Sequence, residues 1–138
     1  MDHIIESLLG LAPFAQYFFS SLALLLIFKW VYILVTPHDE WKLVKEDNNV
    51  AAAAALVGSF IGFSLALASA AQNSVSLIDF WLWATVALLA QIIAFLIIRF
   101  VFIPKISQRI ENNELSSGLI LGGFSIAVGI LNGACMTY

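Results

Sequence analysis

Four long apolar runs, at roughly 14–35, 50–71, 80–103 and 115–136, limit what this chain can become. Each is close to the ~20 residues with which an α-helix crosses a ~30 Å hydrocarbon core. The runs and their short connections take up nearly all of the 138 residues, leaving no room for a soluble domain. Composition agrees, because only 11% of residues are charged, against about 25% in a soluble protein. The expected fold class is an all-α integral membrane protein, one membrane domain over 1–138 with four transmembrane helices. The N-terminal MDHIIESLLGLAP carries no Lys or Arg. It therefore lacks the basic n-region of a cleaved signal peptide and is expected to stay in place.

The chain also repeats itself. EDNNVAAAAALVGSF begins at Glu46 and IENNELSSGLILGGF begins at Ile110, an offset of 64. At that offset Asn48 meets Asn112, Asn49 meets Asn113, Gly58 meets Gly122 and Phe60 meets Phe124. Pro37 and Pro104 correspond once a gap of three residues is allowed. The pattern predicts two tandem helical hairpins, repeat one at about 12–71 and repeat two at about 79–138. Because each unit holds two spans, the second enters from the same side as the first. The repeats are then parallel, unlike the inverted repeats of many transporters.

Charge orients them. All six basic residues, Lys29, Lys42, Lys45, Arg99, Lys105 and Arg109, lie in or just before the two longer connections. Short loops rich in Lys and Arg stay cytoplasmic, so loops 36–49 and 104–114 are expected inside. Both termini and the Gln72–Asp79 turn are then outside. Lys29 and Arg99 are read as long side chains snorkelling to the inner interface. Trp30 and Tyr32 near one face, and Trp81, Trp83 and Tyr138 near the other, fit aromatic belts.

The spans differ in kind. The first and third are bulky, whereas the second and fourth hold seven of the eight glycines. On helices, Gly118, Gly122, Gly129 and Gly133 fall on one face, as do Gly58 and Gly62 with neighbouring alanines. Small faces let helices approach closely in lipid, where no hydrophobic drive pulls them together. They are read as packing faces that place the second and fourth spans centrally, with pore lining as the alternative.

Asn49 and Asn113 stand where those spans begin, and Asn caps helix N-termini. Asn48 and Asn112 are left over by capping and become candidates for a polar site at the inner mouth, with Gln91 and Asn132 deeper in the membrane. Each loop reads as a short interfacial helix, the first opened by Pro37. Trp41 and Leu43 on one loop, Ile106 and Ile110 on the other, form apolar faces that would lie on the inner leaflet or receive a cytosolic peripheral protein.

Residues able to do chemistry are few. No span centre carries an ionisable side chain, against the usual build of a proton-coupled carrier. The one cysteine, Cys135, excludes an internal disulfide and a multi-cysteine metal site. His3 and His38 fall on opposite sides of the membrane in this topology. No catalytic residue, metal or cofactor is expected, and the net charge of −3 predicts no nucleic-acid partner.

TPHDEW, NNVAAAAALVGSFIGFSLALASAA and the ending GILNGACMTY resemble the YjfL-like family of uncharacterised bacterial inner-membrane proteins. The resemblance implies a duplicated four-span protein of the bacterial inner membrane, and supplies no activity or site residue. It also implies a gene neighbourhood with phage-shock-like and glutathionylspermidine-synthase-like genes, and so an envelope-stress or polyamine setting. The expected function is a small scaffold or anchor, as a homodimer or higher homo-oligomer in the bilayer. The alternative is an oligomeric channel or facilitator for a small solute or ion.

Overall fold

The computed structural model describes residues 2–35 and 40–136. The helix start expected at Pro37, His38 and the terminal Tyr138 lie outside the described residues. In chain order the helices are α1 (Asp2–Leu9), α2 (Leu11–Val35), α3 (Glu40–Asp47), α4 (Val50–Asn73), α5 (Leu77–Ile97), α6 (Ile106–Glu111) and α7 (Leu115–Ala134). A π-helical turn, Ile98–Phe102, prolongs α5. Four helical stretches are long and apolar enough to cross a membrane: Asp2–Val35, Val50–Asn73, Leu77–Phe102 and Leu115–Ala134.

Local chemistry sets their ends. Pro13 has no N–H for the carbonyl four residues back, and the chain turns at Gly10, between α1 and α2. The Ser76 side chain accepts from the Asp79 N–H and opens α5. At the far end, Ile103 is extended (φ −135°, ψ 89°), as the residue before a proline must be. Its N–H reaches back to Ile98 O at 2.8 Å, the five-residue step of a π turn.

Helix α4 is the core of the bundle, with over half of its most apolar window buried. On one flank it receives the large side chains of α2 and α5. Phe28 stacks on Phe63 with centroids 4.6 Å apart, and Tyr32 meets Phe95 edge-on at 5.8 Å. Tyr32 is thus a core residue and not part of an interfacial belt, whereas Trp30 is exposed. Helix α7 covers the other flank of α4 and is held by α5 and α6 as well. It is less enclosed than α4, because α2 packs on α4 and α5. Leu119, Ile120, Gly123, Ala127 and Leu131 stay exposed along it.

Helices α4 and α7 run side by side in the same direction. Near their starts, a Cβ on Gly118 would strike the main chain of Ala51; near their ends, Ser69 Oγ donates to Gly133 O at 2.6 Å. Between these points Gly58 lies against Gly122, and Gly62 against Ser125 and Gly129, each so closely that a Cβ would collide with backbone. Gly133 is looser, with the Ser69 Cβ 3.1 Å from where its own would stand.

Candidate functional site

The two connections that carry the basic residues fold into one end of the bundle, where α3 and α6 sit at the starts of α4 and α7. Each short helix must stop abruptly and hand over to a span, and the Asn pairs perform that turn. Asn48 (φ 50°) and Asn113 (φ 58°) adopt the left-handed conformation, which Asn tolerates better than most residues. After α6 the Asn113 N–H donates to Ile110 O and the Glu114 N–H to Arg109 O. These two bonds close a Schellman motif. After α3 the Asn49 N–H donates to Leu43 O at 3.0 Å, a wider version of the same stop.

Asn49 then works twice. Its carbonyl oxygen caps α4 by accepting from the Ala52 N–H at 2.9 Å, and its amide donates to Ile110 O at 2.7 Å, at the end of α6. Asn113 does not cap its own helix, contrary to expectation. The N-cap of α7 is Glu114, without a side-chain capping bond, and Asn113 Oδ1 accepts from the Ala51 N–H of α4 at 3.1 Å. The cause is a one-residue slip between the loops. The left-handed residue falls at Asn48 in the first and at Asn113 in the second, so α7 starts one residue later relative to its Asn pair than α4 does. Asn48 and Asn112 are both exposed and terminate α3 and α6.

The apolar faces of the short helices turn inward. Ile106 and Ile110 were expected at the membrane surface or under a partner. They are fully buried, with Trp41 and Leu43 half-buried against the same core. Spaced four apart on α6, the two isoleucines form one stripe, and packing on the bundle uses it up. What this end presents outward is charge: Lys42, Lys45, Lys105 and Arg109 are exposed, with the polar Gln108 beside them. Arg109 pairs with Glu114 at 2.9 Å. The Lys29 ammonium lies 4.7 Å from the centre of the Trp41 ring, tying the end of α2 to α3.

Gln91 and Asn132 stand deeper and do not join the asparagines of the short helices. Gln91 Nε2 donates to Ser125 O at 3.1 Å, and Asn132 Nδ2 to Ala87 O at 3.2 Å. The two amides thus fasten α5 and α7 to each other's main chain. Gln91 is buried and its Oε1 has no hydrogen-bond partner. Sequence reasoning missed the π turn beside Arg99, for which Pro104 was the one local signal.

These features define a four-span helical membrane protein whose basic residues gather at one end of the bundle. The chain belongs to the family described as Domain of Unknown Function (DUF350), whose model matches residues 5–136. It is 40% identical over 136 residues to the UPF0719 inner membrane protein YjfL of Escherichia coli (strain K12), covering 99% of each chain. The protein of the same name from Escherichia coli O157:H7 matches equally, at 40% over 136 residues. No solved structure matches the chain.

Proposed function

We propose that this protein is a small inner-membrane anchor that works through the charged surface of α3 and α6, and not a conduit. The observation that carries this reading is the backbone-to-backbone seam between α4 and α7, where Gly58 and Gly62 leave no gap for a solute. Ion or solute passage inside one chain would need the two small faces apart, and their packing holds them together. The deep amides that could have marked a route direct their N–H donors to main-chain carbonyls of neighbouring helices.

The orientation follows from the basic residues, with α3 and α6 in the cytoplasm and both termini in the periplasm. The inner-membrane location agrees with the printed name of the Escherichia coli relatives. The offset of 64 and the parallel course of α4 and α7 support a duplicated hairpin. The face of α7 around Gly123, where nothing lies within 4 Å of an added Cβ, is where a second copy would dock to form a homodimer. The client would be a peripheral protein of an envelope-stress system, in line with the gene neighbourhood that the YjfL-like resemblance implies.

Photo-crosslinking in intact cells tests this. A photoreactive residue at Lys45 or Gln108 is expected to capture one and the same peripheral protein, while one at Gln72, on the opposite end, captures none. Charge reversal by Lys42→Glu with Lys45→Glu should remove the adduct. Equal capture from Gln72, or an adduct indifferent to the charge reversal, would sink the anchor reading.

A further inference from the structure

The π turn that ends α5 does more than stop a helix. It brings Arg99 to a notch of about 200 Å³ that Arg99, Pro104, Lys105, Ser107 and Gln108 line. Two of these five are cations and none is an acid. Among the described residues no carboxylate pairs with Arg99 or Lys105; the nearby pair joins Arg109 to Glu114. The Ser107 hydroxyl is buried there without a hydrogen-bond partner. A notch with two unneutralised cations and a spare hydroxyl is complementary to a compact anion with several acceptor oxygens, and Arg in particular suits a phosphate.

Depth and surroundings say where such an anion comes from. At about 1.5 Å per residue, Arg99 stands roughly 28 Å along the helix from Phe80, where the third apolar run begins, so its long side chain reaches the edge of a ~30 Å hydrocarbon core. That is the level of lipid phosphates. Next to the notch, Phe100, Val101 and Phe102 are 67%, 69% and 59% exposed, a surface that suits acyl chains and not water. The Arg99 guanidinium lies 5.2 Å from the centre of the Phe100 ring, so cation and apolar surface are contiguous.

We infer that the Arg99–Lys105 notch binds a phosphate group, supplied by the headgroup of an anionic lipid in the adjacent leaflet. The inference does not depend on the anchor reading, only on this end of α5 reaching the membrane surface. Bound there, a lipid holds the π turn to α6 from outside, as Ile106 and Ile110 hold it from within.

Native mass spectrometry of the detergent-solubilised full chain, with phosphatidylglycerol or phosphatidylethanolamine added, reads the binding directly. The wild type is expected to keep one phosphatidylglycerol per chain and to hold phosphatidylethanolamine more weakly. Arg99→Gln with Lys105→Gln should weaken phosphatidylglycerol by about thirtyfold, as removal of two near-surface cations implies. Lys29→Gln, which removes one charge at similar depth, should leave it unchanged, and Arg99→Lys should keep most of it. Elution of each variant at the wild-type volume excludes misfolding as the cause. A parallel arm measures thermal unfolding with sodium phosphate against sodium chloride at equal ionic strength. A phosphate-specific rise without lipid retention, lost in the double variant, would uphold the phosphate site and assign it to solution. Lipid retention equal in the wild type and the double variant, or no response to either probe, overturns the inference.

Discussion

Asn49 bonds to two helices at once, so its removal leaves the Ala52 N–H uncapped and takes one donor from the Ile110 carbonyl, which keeps the Asn113 N–H. Loss of an N-cap costs about 1 kcal/mol, and loss of the hydrogen bond to Ile110 adds about 0.5–1.5 kcal/mol. Asn49→Ala should therefore lower the thermal midpoint of the purified protein clearly, while Asn112→Ala, at an exposed position, should leave it almost unchanged. Asn48 makes a sharper test of backbone conformation. At φ 50°, Asn48→Gly should be tolerated, whereas Asn48→Val should destabilise by about 1–2 kcal/mol, because a β-branched side chain is far less compatible with the left-handed region than Asn. Equal midpoints for the glycine and valine variants would contradict the described turn. The role of Asn49 as a cap was legible, since Asn before an apolar run is a start signal. The role of Asn113 was not. Alignment at an offset of 64 pairs it with Asn49, and only the folded loops reveal the one-residue slip that sends its side chain to the neighbouring helix.

At the scale of elements, the seam of α4 and α7 dominates. Lipid provides no hydrophobic force to hold two helices together, so close packing and interhelical bonds must do so. Gly58→Leu or Gly62→Leu would push the main chains apart and is expected to destabilise by at least about 1–3 kcal/mol, the usual range for overpacking. Gly123→Leu faces open space and should fold as the wild type does. Relative yields of folded protein by fluorescence-detected size exclusion would distinguish the two classes, and equal loss at Gly58 and Gly123 would contradict the packing described. The spans were readable because hydropathy and length decide them almost alone. The apolar faces of α3 and α6 were readable too, but not their direction. A stripe such as Ile106 and Ile110 fits a leaflet, a partner or the bundle equally well. The bundle won because the two helices sit directly on the starts of α4 and α7. The amides behaved similarly. Asn48, Asn112, Gln91 and Asn132 looked like one polar route, yet two of them end short helices and two brace spans. An amide side chain serves all these uses with the same chemistry.

For the whole molecule, the uneven placement of charge makes the strongest statement. With all six basic residues at one end, a reporter active only in the periplasm should work when fused to the C-terminus and fail when inserted at Gln108. A cytoplasmic reporter should give the reverse pattern, and the opposite result at both sites would invert the topology. The anchor reading needs this orientation, because its charged surface has to face the cytoplasm. It also needs a bundle that is sealed. The most direct measurement is flux through proteoliposomes that contain the purified protein, under an imposed potential, with potassium and a small polyamine as probes. A sealed bundle predicts leakage no greater than in protein-free vesicles for both. A flux that rises with protein content and changes in Gln91→Leu would contradict it, and would place a path where the glycine seam leaves none.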